Sequence, residues 1–275
     1  MPELKGLGDK QESVELSDIQ TTYKNELETF ENHGDLIDQI DIQIPVRPQD
    51  GVPIELAEQI ARWAVLGLHC AFLKDHMGGF IEVVRANMAY RFLKESDKKY
   101  LFMIDNDVIP RLDLPLLLAR HEESVVGAPV PITLKDQGPC LNFTIPDGAG
   151  HYRFPSYRHH RFPSVGLISV HHIGTGAMCI RRDVLEAFSW KDEDVPFMVP
   201  ASIRAEGLRE GGLRRGEDIE FCNQVRAKGF KVFADLEGLS GHRKNLTLTV
   251  PDDLKDPTMD PAGWLSHESE YAVGG

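Results

Sequence analysis

The segment from Tyr100 to Asp107 constrains the chain more than any other, because a continuous apolar run, YLFMI, ends abruptly in Asp105, Asn106 and Asp107. A strand that is apolar at every position is buried on both faces, as happens in parallel sheets covered by helices. The flanking sequence agrees. From Asp41 onward, strand-like and helix-like segments alternate: a strand near Ile42 to Val46, a helix from Pro53 to about Leu68, a strand around Cys70 to Leu73 and a helix from Gly79 to Leu93. Further on, Val125 to Val130 and Ala177 to Ile180 read as strands, Asp183 to Phe188 as a short helix, Glu217 to Lys228 as a helix closed by Gly229, and Lys231 to Ala234 as a last strand. This alternation predicts an α/β fold with a mostly parallel central sheet flanked by helices.

Charge divides the chain into three parts. Residues 1–41 hold 11 acidic side chains against 3 basic ones, residues 252–275 hold 6 against 1, and the 26 acids and 26 bases between them cancel. The net charge of -13 therefore belongs to the ends and excludes no acceptor, polyanions included. Ser17, Asp18 and Gln20 form a helix start, and Ile19, Tyr23, Leu27 and Phe30 then share one face until Gly34. We expect an acidic extension at 1–40 carrying a docked helix, a catalytic domain at 41–250 and an acidic tail at 251–275. No apolar run of about 18 residues is present, which predicts no transmembrane segment, and the first residues lack a signal-peptide pattern, so the chain reads as cytoplasmic. Cys70, Cys140, Cys179 and Cys222 lie far apart without a C-x-x-C pair, as expected of reduced thiols.

The chemistry concentrates where strands end. In an open parallel sheet ligands bind at the carboxyl ends of strands, and alternation in an extended segment would turn Asp105 and Asp107 to one side. Two hard oxygen donors suit Mn²⁺ or Mg²⁺, with a diphosphate completing the coordination. An Asx turn is the structural alternative. A haloacid-dehalogenase-like phosphatase is the chemical alternative, but it would carry such a motif near the start of its domain. Gly216, Glu217 and Asp218 then introduce a helix, placing a carboxylate where an acceptor hydroxyl's proton could be taken, although acids at a helix N-terminus are also expected on dipole grounds. A lone histidine, His242, follows the last strand in LSGH.

The order of these motifs, D-x-D, then HIGTGAMCIRRDVLEAF, then GEDIEFCNQVRAKGFKV and a Gly-His, resembles the GT-A-type glycosyltransferases, particularly small bacterial and phage-like members, over roughly residues 42 to 245. The resemblance implies a Rossmann-like GT-A fold and metal-dependent transfer of a sugar from a nucleotide diphosphate donor, a UDP-sugar first, to an acceptor hydroxyl. It implies that Asp107, His242 and Asp105 bind the metal, that Asp218 is the base, and that Glu217 binds the acceptor or donor sugar. Pro45, Val46, Arg47, Arg85, Asn87, Asp105, Asn106, Gly174, Thr175 and Gly176 would border the donor. Family members commonly carry Arg-Asn ahead of the D-x-D strand, whereas this chain reads Arg85-Ala86-Asn87. A non-catalytic sugar-nucleotide-binding module is a weaker alternative, since metal, base and turn motifs are all present.

Two loops bear on the acceptor. Residues 151–162 interleave Arg153, Arg158 and Arg161 with Tyr152, Phe154, Tyr157 and Phe162, offering cations and stacking faces. Residues 204–216 place Arg204, Arg209, Arg214 and Arg215 among glycines, which suits a loop closing over a diphosphate. A glycan or glycolipid precursor is the favoured acceptor, with a hydroxymethylated pyrimidine base in DNA as the alternative.

Overall fold

The computed structural model describes residues 16–46, 51–74, 80–134, 138–146, 152–156, 162–163, 165–200, 216–243, 247–248, 255–256, 258 and 260. Helix α1 (Leu16–Asn32) leads through a 3-10 turn (Gly34–Gln39) into β1 (Ile40–Val46). Next come α2 (Ile54–Val65), β2 (Cys70–Lys74), α3 (Ile81–Glu95) and β3 (Tyr100–Ile104). After the aspartates lie β4 (Val108–Ile109), α4 (Leu114–Ala119) and β5 (Val125–Gly127). A run of short strands follows: β6 (Pro131–Leu134), β7 (Gly138–Leu141), β8 (Phe143–Pro146), β9 (Tyr152–Arg153), β10 (Phe162–Pro163), β11 (Leu167–Ser169) and β12 (His172–Ile173). The chain then forms β13 (Ala177–Arg181), α5 (Arg182–Glu186), α6 (Glu217–Ala227), β14 (Val232–Asp235), β15 (Gly241–Arg243), β16 (Thr247–Leu248) and β17 (Lys255–Asp256).

Seven strands make the central sheet in the order β11-β14-β5-β13-β3-β1-β2. β2, β1, β3, β5 and β14 run in one direction, while β13 and β11 oppose them. The sheet is therefore mostly parallel, as the alternating pattern predicts, but mixed. Sequence pattern misses the reversal at β13 because AMCIR is apolar enough for either direction.

Alternation along β3 sorts the core into two layers. Leu101 and Met103 pack with Met88 and Phe92 of α3, Val184 and Leu185 of α5, and Phe221 and Val225 of α6. Tyr100, Phe102 and Ile104 face the other way, against Trp63 of α2, Leu117 of α4 and Phe30 of α1. Each fully buried large side chain stabilises the fold by about 1.5–3 kcal/mol, and the two layers cover both faces of the sheet. Helix α1 docks through Phe30 and the partly buried Leu27, on the face its periodicity predicts. The side chains of Ile19 and Tyr23 lie outside the described residues.

Observed boundaries fall within a few residues of the expected ones, the usual uncertainty for element ends. The expected strand from Val125 is assigned only to Gly127, one further ladder bond running from Ala128 N–H to the Ala177 carbonyl at 2.9 Å before the chain enters the β6–β7 hairpin. Helix α6 ends as predicted, with Gly229 at φ +87 and Phe230 N–H bonded back to the Val225 carbonyl at 3.2 Å.

Candidate active site

Asp105 continues the odd-numbered side of β3, and that side faces α3 and α6. There it meets Arg85, which lies on the apolar stripe of α3 between Val84 and Met88 and is buried. A buried guanidinium must be paired, and Arg85 is paired three times. Its Nη2 lies 3.1 Å from each Asp105 carboxylate oxygen and donates to Oδ2. Its Nε donates to Glu217 Oε1 at 3.1 Å and its Nη1 to the Thr175 carbonyl at 3.3 Å. Beyond its ion pair with Arg85, the buried Asp105 Oδ1 accepts no hydrogen bond among the described residues. Burial pushes the Asp105 carboxyl above its ordinary pKa, with the Arg85 charge opposing it. Burial alone would lower the Arg85 pKa, but Asp105 and Glu217 more than offset it, so the guanidinium stays charged.

Asp107 takes a different partner from Asp105. The chain turns directly after β3, with Val108 N–H bonded to the Asp105 carbonyl at 3.2 Å. Asp107 thus reaches β15, where the pairing of His242 with Val108 and of Gly241 with Ile109 brings in a histidine from 135 residues away. Arg243 N–H donates to the Asp107 carbonyl at 2.7 Å and closes this ladder.

His242 Nδ1 stands 2.8 Å from the Pro131 carbonyl, an obligate acceptor, so Nδ1 carries a proton. In the neutral ring Nε2 is then a lone pair, and it faces Asp107 Oδ2 at 3.3 Å. Two acceptors aimed at one point need a cation or a shared proton between them. An imidazole whose other nitrogen donates to a carbonyl is also how metal-ligating histidines are oriented. Among the described residues no three His, Cys, Asp or Glu side chains gather closely enough to hold an ion unaided. The chemistry therefore suits an ion that a ligand helps to hold, with Asp107 and His242 Nε2 as protein donors, while Asp105 is held by Arg85.

The base candidates sit at the start of α6, where Gly216 caps the helix and Glu217, Asp218 and Glu220 occupy the positive end of its dipole. Asp218 Oδ1 accepts from Ile219 N–H at 2.7 Å. A Cβ on Gly216 would stand 2.5 Å from that oxygen, so any larger residue there would have to displace the carboxylate that folds back over it. Burial and the neighbouring Glu217 charge raise the Asp218 pKa to about 6, against the lowering effect of the Ile219 bond. A carboxyl with that value is ionised at neutral pH yet a stronger base than an ordinary aspartate.

Of the remaining expected donor residues, Thr175 and Gly176 join this cluster through their carbonyls, to Arg85 and to Asp105 N–H at 2.9 Å. Gly174 is fixed by Asn142, whose carbonyl accepts Gly174 N–H at 2.7 Å and whose Oδ1 accepts Val130 N–H at 2.8 Å. Neither Asn142 nor Pro131 stands out in the sequence, since Asn142 reads only as a glycosylation-type sequon and nothing marks a useful backbone carbonyl. Pro45 and Val46 end β1 at the same sheet edge as Asp105, and Asn106 Nδ2 lies 3.5 Å from the Gly51 carbonyl. Asn87 is not brought in. Residues two apart on a helix point about 200° from each other, so Asn87 is exposed while Arg85 is buried. Arg153 lies on β9 opposite Ile145, on the ladder β9-β8-β12 that leads to the Gly174 turn. Arg47, Tyr157, Arg158, Arg161, Arg214 and Arg215 lie outside the described residues.

The chain matches no protein-family profile and no curated protein. Its fold is similar to that of A197 from STIV, with a TM-score of 0.50 and 18% identity over 75% of this chain and 86% of that one. More distant similarities reach HddC from Yersinia pseudotuberculosis (TM-score 0.28, 11% identity, 61% of this chain and 65% of that one). Another is a protein assigned as a glucose-1-phosphate thymidylyltransferase from Bacillus anthracis, in complex with sucrose (TM-score 0.33, 10% identity, 73% and 79%). These two are too remote to carry an argument, and the first speaks for the fold alone.

Proposed function

We propose that this chain is a metal-dependent glycosyltransferase of the GT-A type, moving a sugar from a nucleotide diphosphate donor to an acceptor hydroxyl. The observation that carries the reading is the opposed pair of His242 Nε2 and Asp107 Oδ2 at 3.3 Å after β3, with Asp105 at the strand end linked through Arg85 to Glu217 at the start of α6. Asp107 and His242 would hold Mn²⁺ or Mg²⁺, with the donor's diphosphate completing the coordination. Such an ion supplies Lewis-acid neutralisation of the charge that grows on a departing nucleoside diphosphate.

The chain's own residues account for the rest. Asp218 Oδ1 is tied to its helix, which leaves Oδ2 to take the acceptor proton. The Gly174–Gly176 turn is held by Asn142 and by the Asp105 amide, and its Thr175 carbonyl accepts from Arg85. Glu217 and Asp105 are held by Arg85. A phosphatase in which Asp105 is the nucleophile fits less well, because the Arg85 guanidinium lies against both of its carboxylate oxygens. A glycan or glycolipid precursor is the acceptor we favour.

The test is release of nucleoside diphosphate and labelled product from a panel of UDP-, GDP- and other nucleotide sugars with Mn²⁺. We expect transfer from one donor class, abolished by EDTA. Phosphate release from a phosphomonoester, with no use of any nucleotide sugar, would replace this reading with the phosphatase one.

A further inference from the structure

We infer that Arg85 is a positioning residue that divides the labour among the carboxylates: it commits Glu217 and Asp105 to fixed places and leaves Asp218 as the group that takes the acceptor's proton. The inference rests on the transferase reading above and goes beyond it by assigning one role to each member of the cluster.

The case is geometric. Each nitrogen of the buried guanidinium is engaged, Nε with Glu217, Nη1 with the Thr175 carbonyl and Nη2 with Asp105. The side chain thus crosslinks three parts of the chain: the end of β3, the turn before β13 and the first turn of α6. None of those parts is adjacent to another in sequence, and a single planar fork fixes their relative positions. A guanidinium with every nitrogen so engaged is a scaffold for the site rather than a contact to a donor, in contrast to the donor-binding role the motif order implies. Glu217 Oε1 is committed to this fork, whereas Asp218 Oδ1, among the described residues, accepts from the Ile219 amide and makes no bond to the fork. The two adjacent acids of the G-E-D motif therefore have different duties.

The experiment measures kcat and thermal unfolding for the full chain and for Arg85→Lys, Arg85→Gln, Glu217→Gln, Asp218→Asn and the double variant Arg85→Gln/Glu217→Gln. If Arg85 acts through Glu217 and Asp105, Arg85→Gln lowers kcat on the order of a hundredfold, the scale of a small misplacement of reacting groups. The double variant is then no slower than Arg85→Gln by more than about threefold. Glu217→Gln keeps the acidic limb of the pH–rate profile, and Asp218→Asn loses turnover. Arg85→Lys keeps the charge without the fork, so it reads the role even where Arg85→Gln does not fold, and it is expected to fold and to be slow. Effects of Arg85→Gln and Glu217→Gln that multiply, an Arg85→Lys as fast as wild type, or a Glu217→Gln that loses both turnover and the acidic limb would each overturn the assignment. A wild-type chain that uses no nucleotide sugar would instead remove the transferase reading and this role with it, which separates the two failures.

Discussion

A backbone carbonyl orients His242: by accepting the Nδ1 proton, Pro131 aims the other ring nitrogen at Asp107. At Asp218 the decisive neighbour is Gly216, whose missing Cβ lets the carboxylate fold back. Gly216→Ala is therefore expected to rotate Asp218 and to slow transfer about tenfold or more, with little change in stability because only a side-chain tip must move. Circular dichroism melts beside steady-state rates check this. The raised pKa of Asp218 makes a paired prediction. Its folded value of about 6 exceeds the ordinary 3.8, so this group's contribution to stability is fully present below about pH 4 and falls as pH rises towards 6. Asp218→Asn should then raise the melting temperature at pH 7.5 while lowering kcat on the order of a hundredfold or more. The wild-type rate should rise with pH through about 6. A variant both inactive and less stable would point to a structural role. The acids and the histidine are legible in the sequence because motif order carries them. The partners of Arg85 are not, since Ala86 separates it from Asn87 and only the helical turn decides which of the two faces inward.

Among the elements, long periodic segments were the legible ones and short strands the illegible ones. YLFMI, the α3 stripe and the Gly229 stop each announce themselves, whereas β6 to β9 are runs of two to four residues laced with Pro and Gly. Their meaning lies in pairing, through β8 and β12, which delivers Asn142 to the Gly174 turn. Asn142→Ala removes the bonds to Val130 N–H and the Gly174 carbonyl, leaving a buried donor unpaired at a cost of about 1–3 kcal/mol. It should also loosen the turn that carries Thr175, so both the denaturation midpoint and kcat should fall, and an unchanged kcat would detach this turn from the site. Helix α1 is held by Phe30 and by an ionic knot. Thr29 Oγ1 donates to the buried Asp113 at 2.9 Å, and Arg111 forks the same carboxylate at 2.9 Å. Phe30→Ala should cost about 3 kcal/mol, and amide exchange across residues 24–32 should be slow in the wild type. Exchange as fast as in a free peptide would show that α1 does not dock.

At the scale of the whole molecule, the end of β3 draws in Arg85 from α3 through Asp105 and, through Asp107 just beyond it, His242 from the separate sheet that contains β15, and no described helix is long and apolar enough to cross a membrane. The charge at the ends leaves the acceptor open, so its nature is a matter of salt response. Transfer to DNA should weaken steeply with added salt as phosphate contacts are screened, while transfer to an uncharged glycan should barely change. We expect the second. The central claim is that Asp107 and His242 make a place for an ion that the donor's diphosphate completes. Titration calorimetry of UDP and GDP with Mn²⁺, in EDTA, and with His242→Ala tests it most directly. The account predicts binding in Mn²⁺, loss of binding in EDTA, and weakening of about tenfold or more in the variant. Equal affinity in all three would contradict it.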